Sequence, residues 1–157
     1  MTNPQEVEQW LEWAGQRLIA MPGPRVGPKD SGGWWPDYSQ DKFEVLNFRA
    51  QIALRVAAPA SNEIGLMEEI LLLPGLIGTN EDEYSRRLRK IVRQRTLLHP
   101  ITSRRLWNWA RLAKEHNSSP FKVRGWYEVG LHQICRALPG TRAIVLKKNF
   151  DSIVLNL

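Results

Sequence analysis

The sequence predicts a mainly α-helical chain, several helices ending in a helix-turn-helix, with a possible short β-hairpin at the C-terminus. Three observations predict it. Apolar residues recur at three- and four-residue spacing in several stretches. Pro and Gly cluster between those stretches rather than inside them. Around residue 117 a tight turn is flanked by two amphipathic segments in one register. The length, 157 residues, suits one domain or one domain with an appendage.

The first helix is expected over residues 4–20. Asn3 can cap it, Pro4 fits its first position, and Glu6 stands where a capping-box acid would. Val7, Trp10, Leu11, Ala14 and Leu18 form its apolar stripe. Residues 21–36 hold four prolines and four glycines and read as a loop carrying the pair Trp34 and Trp35. A second helix is expected over about 40–57, with Phe43, Leu46, Ala50, Ile52, Ala53 and Ala57 along its stripe and Ser39 or Asp41 as its cap. Pro59 breaks it, and a shorter helix follows from Ser61 or Asn62 to Leu73, where Pro74-Gly75 ends it. The run Thr79-Asn80-Glu81-Asp82-Glu83 is a strong helix start, its acids matched to the positive end of the helix dipole. The helix it opens should reach about Leu98, with Tyr84, Leu88, Ile91, Val92 and Thr96 on one side and six Arg and Lys around the rest. A fifth helix is expected over 103–116, capped at Thr102-Ser103, and a sixth from Pro120 to about Leu138, stopped by Pro139-Gly140. Two β-branched runs, 143–146 and 153–157, flank a polar turn over 147–152 and suggest the hairpin.

Charge divides the chain. Residues 1–84 carry six Arg and Lys against thirteen Asp and Glu, a charge of −7. Residues 85–157 carry sixteen Arg and Lys against three acids, a charge of +13. The expected organisation is an acidic helical part over 1–80, a basic part over 81–140 with the helix-turn-helix at 103–138, and a tail over 141–157. So cationic a half points to a polyanionic partner, double-stranded DNA first. An unevenly spread solubilising surface is the plainer alternative.

Residues 111–127 are the most specific segment. A helix-turn-helix needs a small residue where its helices cross, and Ala113 supplies it. It needs a residue tolerant of left-handed φ in the turn, and Asn117 is second only to glycine in this. It needs an N-cap for the second helix, and Ser119 precedes Pro120. It needs apolar residues facing back, and Val123 and Trp126 are spaced to meet Leu112. In that geometry Phe121, Lys122, Arg124 and Gly125 face the major groove, with Ser118 and Ser119 near phosphates. Arg124 is the first choice for reading a base, Lys122 for a phosphate, and Arg104, Arg105 and Arg111 for holding the backbone. An ordinary helical hairpin with a basic face is the alternative. His116 in place of an apolar residue and Ser118 in place of valine or isoleucine favour it.

The segment resembles the Leu-Ala-Lys-Glu-His-Gly-Val-Ser-Pro-x-x-Val-Arg-x-Trp pattern of bacterial and phage helix-turn-helix proteins, among them those like region four of sigma factors. The front end, Val7-Glu8-Gln9-Trp10-Leu11-Glu12-Trp13-Ala14-Gly15 with Trp34-Trp35-Pro36, is similar to small phage proteins that end in such a motif, including late-gene antiterminators of lambdoid phages. The likeness covers roughly 7–36 and 104–138. It implies transcription control on phage or bacterial DNA, with RNA polymerase as an expected protein partner.

Other constellations point elsewhere less strongly. The seven tryptophans suit packing more than base stacking, apart from Trp34 and Trp35, which could anchor a protein partner. His99, His116 and His132 lack metal-ligand spacing, the loop over 25–33 matches no phosphate-cradling pattern, and no cofactor or catalytic group is expected. Glu63, Glu68 and Glu69 read as a solvated face, and Cys135 as a buried packing residue. One cysteine, no signal peptide and no apolar run near the roughly 20 residues of a membrane span make a cytoplasmic location the expectation. Two further roles remain open: a non-catalytic adaptor or host-takeover protein that binds another protein, and a small DNA-packaging recognition subunit.

Overall fold

A computed structural model describes residues 2–21, 58–78 and 81–155, and among these the chain is mainly helical. The expected helix over 40–57, the loop with Trp34 and Trp35, and Thr79-Asn80 lie outside the described residues.

Helix α1 (Pro4–Ala20) starts as its sequence dictates: the Asn3 side chain accepts from the Gln5 N–H, and Glu6 reaches back to the Asn3 N–H. Its predicted stripe is buried, and Trp13 and Ile19 are buried beside it. Trp13 meets Phe150 edge-on with ring centres 5.7 Å apart. Helix α2 (Ser61–Leu71) runs into a 3-10 turn (Leu73–Leu76) whose Pro74 is itself buried. Glu63 is not part of a solvated face. Its carboxylate accepts from the Ala60 N–H at 2.8 Å and pairs with Arg17 at 3.5 Å, tying α2 to α1.

Helix α3 (Glu83–Arg95) buries Leu88, Ile91 and Val92, while Tyr84 stays exposed. It stops three residues before the expected Leu98. The Thr96 hydroxyl donates to the Val92 and Arg93 carbonyls, and the chain then turns extended. Leu98 and Arg105 form an isolated antiparallel bridge, flanked by hydrogen bonds from His99 N–H to Arg104 O and from Leu106 N–H to Leu97 O. His99 Nδ1 accepts from the N–H groups of Ile101 and Thr102, and Ser103 sits at φ 54°. Thr102-Ser103 therefore forms the tip of this turn, not a helix cap. Helix α4 (Trp109–Glu115) begins six residues later, where Asn108 accepts from the Arg111 N–H at 2.7 Å.

Helix α5 (Pro120–Ala137) follows, then helix α6 (Gly140–Phe150), which continues as a turn of π-helix (Asp151–Leu155). The expected C-terminal hairpin is absent: residues 140–155 are helical. Ala143, Leu146 and Phe150 are spaced by three and four, and they bury against the rest of the chain. Tertiary packing of that stripe outweighs the β-branched content of the segment.

One hydrophobic core runs from Val7 through Leu71, Ile91, Leu112 and Ile134 to Phe150. Helix α5 lies across α1, α3 and α4. An alanine methyl at Gly15 would stand 2.2 Å from the Thr96 carbonyl oxygen, so the backbone of α1 rests directly on the turn after α3. Among the described residues no helix is long and apolar enough to cross a membrane.

Candidate nucleic-acid interface

The junction between α4 and α5 closes through its backbone. Asn117 adopts φ 50°, the left-handed region. The Ser118 N–H donates to Ala113 O at 2.9 Å and the Asn117 N–H to Lys114 O at 3.3 Å, the hydrogen-bond pair that ends a helix at a left-handed residue. Ser119 then caps α5, its hydroxyl accepting from the Lys122 N–H, with Pro120 at the first helical position. Leu112 and Val123 are fully buried, and Ala113 nearly so.

Trp126 differs from expectation. It is half-buried on the flank of α5, while Tyr127 takes the inward position. Continuing at Gly130, Leu131 and Ile134, the buried line of α5 runs through Val123 and Tyr127 and leaves Trp126 beside it. The Trp126 ring lies under two cations, with Arg87 5.1 Å and Lys122 5.3 Å from its centre.

On the first turns of α5 the structure brings together Ser119, Phe121, Lys122, Arg124 and Gly125, all exposed, with Ser118 half-buried in the turn before them. Phe121 is 89% exposed. The Arg124 side chain is 65% exposed and lies 3.5 Å from Glu128, one turn on.

The three arginines expected to hold a backbone do not act alike. Arg104 is exposed on the tip of the 97–106 turn. Arg111 stacks on Trp107 at 4.1 Å and donates to Leu106 O. Arg105 points inward, three-quarters buried, and its guanidinium faces carboxylates. It pairs with Glu8 at 3.2 Å, contacts Glu12, and donates to Arg95 O. Tyr127 donates to the same Glu8 carboxylate at 2.8 Å. Burial raises the Glu12 carboxyl above its ordinary value, opposed by Arg105. Arg105 lies above its ordinary value: burial works against its charge, but Glu12, Tyr127 and Glu8 outweigh it. Burial and the neighbouring Arg105 lower Arg95 to about 10, and its guanidinium covers the Trp109 ring at 3.9 Å.

A second group forms a cleft that the sequence does not reveal. Glu83, Arg86, Arg87, Lys90 and His116 line an open cleft of about 380 Å³ between α3 and the end of α4. The basic cover of α3 was the available signal, but the cleft depends on where α4 ends. Lys90 pairs with Glu115 at 3.1 Å and Arg87 with Glu83 at 3.4 Å. His116 stands 3.0 Å from the buried Gln94 side chain, which accounts for a histidine at a position where an apolar residue was expected. Burial, then Lys90, lowers its pKa. Cys135 is only half-buried, and burial raises its thiol.

The chain matches no protein-family model, no curated protein and no solved structure. The geometry of α3, α4 and α5 therefore carries the functional reading alone. Chemically, that geometry offers a solvent-facing ridge with one aromatic ring, two cations and a capped helix start. A cleft lined by Arg86, Arg87, Lys90, His116 and Glu83 lies on α3. Among the described residues no group of acids, histidines and cysteine is arranged to hold a metal ion.

Proposed function

We propose that the chain is a sequence-specific DNA-binding regulator of transcription, with α4, the turn at Asn117 and α5 acting as a helix-turn-helix. One observation carries the reading. Leu112 and Val123 are buried and Asn117 is left-handed, so that Phe121, Lys122 and Arg124 stand in solvent on a single ridge. A major groove about 12 Å wide admits such a helix, N-terminal end first. Arg124 reads a base edge, Lys122 meets a phosphate, and the exposed Arg86 on α3 supplies a further phosphate contact.

The Arg124–Glu128 pair is no obstacle to this role. Both side chains are mostly in water, where such a pair is worth at most about 1 kcal/mol. A bidentate guanine contact is worth about 1–3 kcal/mol of discrimination.

The test is duplex selection from a random pool, followed by titration of the enriched and a scrambled duplex by fluorescence anisotropy. Arg124→Ala should weaken the enriched duplex by about 1–3 kcal/mol more than the scrambled one. Equal losses on the two would remove Arg124 from base reading. No enrichment at low salt would defeat the proposal and leave the protein-binding adaptor in its place.

A further inference from the structure

Phe121 is the most exposed of the large apolar side chains among the described residues. It takes no part in the core or in the layer packed against the core. Helix α5 is anchored without it: Ser119 and Pro120 start the helix, and Val123 and Tyr127 hold it down. One turn on from Phe121 comes Gly125, where even an added methyl would meet nothing within 4 Å. Residues four apart are neighbours on a helix surface, so the next turn leaves the ring uncovered. Pro120 and Lys122 flank Phe121 along the chain, with Ser119 capping the helix just before them, and Arg124 lies three residues on. The result is a bare aromatic ring with Lys122 beside it and Arg124, paired with the exposed Glu128, further along the helix.

A phenyl ring has neither donor nor acceptor. Set against the N7, O6, N4, N6 or O4 groups of base edges, it takes away their water and returns nothing. The thymine 5-methyl is the one apolar group that the major groove presents. Lys122 beside the ring matches a phosphate next to such a base, and Arg124 is left to read a neighbouring base edge.

We infer that Phe121 reads thymine, packing its ring on the 5-methyl group in the major groove. The inference rests on the duplex-binding role of α5 proposed above and assigns one base preference within it. Phe121 then adds specificity rather than general affinity, because every duplex has phosphates but only certain positions carry the methyl.

The experiment removes the methyl from one side and the ring from the other. Each thymine of the enriched duplex is replaced in turn by deoxyuridine, which differs only by that methyl. Full-length protein and Phe121→Ala are titrated against each duplex. Phe121→Ala removes no core contact, and an unchanged far-ultraviolet circular dichroism spectrum checks that it folds. At one or two thymines the wild-type protein should lose about fourfold in affinity, the worth of one buried methyl. Phe121→Ala should bind the original duplex more weakly and be indifferent to uridine at those same positions. If the two losses multiply independently at every thymine, or if no uridine replacement matters, Phe121 does not read thymine although the duplex reading stands. If no duplex is enriched, the duplex reading falls and this inference with it.

Discussion

Asn117 holds a backbone conformation that costs most residues about 1–2 kcal/mol, and it does so at the point where α4 must end for α5 to cross it. Glycine adopts the same φ without a Cβ penalty. Asn117→Gly should therefore leave the urea midpoint nearly unchanged or raise it, whereas Asn117→Ala should cost about 1 kcal/mol. Equal effects of the two would mean that the side chain, not the left-handed φ, matters there. His116, next to it, gives the fold a pH dependence. Burial favours its neutral ring, so its folded pKa is lowered. The unfolded chain takes up that proton first as pH falls below about 6.5. The stability contributed by the neutral ring is complete above that pH and is lost below it. Glu6, whose pKa the Lys147 contact lowers, loses its contribution only in the ordinary carboxylate range and below. Glu12, whose pKa burial raises, works in the opposite direction as pH rises. The urea midpoint should fall between pH 7.5 and 5.5 in the wild type and fall less in His116→Gln. A parallel fall in both would acquit His116.

Two glycines inside helices show how opposite local demands can look alike in a sequence. Gly15 lies in α1 where the backbone after α3 passes against it, and a methyl there would meet the Thr96 carbonyl at 2.2 Å. Gly125 lies in α5 with open space around it. Gly15→Ala should destabilise by about 1–3 kcal/mol, the usual cost of overpacking, because a backbone carbonyl cannot rotate away. Gly125→Ala should stabilise by about 0.5–1 kcal/mol, since alanine loses less backbone freedom in a helix. Chemical denaturation of the two variants measures both signs at once. Elements with strong local signals were legible from residues alone. Asn3-Pro4, Ser119-Pro120 and the stripe of α1 each fix their helix within a few residues. Elements ruled by distant partners were not. The 97–106 turn is held by His99 and by a bridge to Arg105, and Thr102-Ser103 looks locally like a helix cap. The helix at 140–150 forms because Leu146 and Phe150 find a core, and Phe150 meets tryptophans more than 130 positions earlier in the chain.

Across the whole molecule, the −7 and +13 halves are not kept apart. Helix α1 lends Glu6 to Lys147 and both Glu8 and Glu12 to Arg105, over separations of 141, 97 and 93 residues. The charge asymmetry was readable from composition, but which cations face outward was not, because that is decided by contacts of this length. It is also the point at which duplex binding can be tested most directly. Each phosphate neutralised releases counterions, so log affinity falls against log salt with a slope near −0.9 per contact. Lys122 is exposed and leans on the flank of Trp126. Lys122→Ala should make the slope shallower by about 1 and leave the urea midpoint almost unmoved. Arg105 has the same formal charge and faces two carboxylates of α1. Arg105→Gln should leave the slope as it is and cost about 2 kcal/mol of stability, the range for hydrogen bonds to charged partners. Salt titrations of both variants on one duplex, with urea unfolding alongside, give four numbers whose pattern is fixed in advance. A slope changed by Arg105→Gln and untouched by Lys122→Ala would place the polyanion on the α1 side of the molecule and strip α5 of its proposed role.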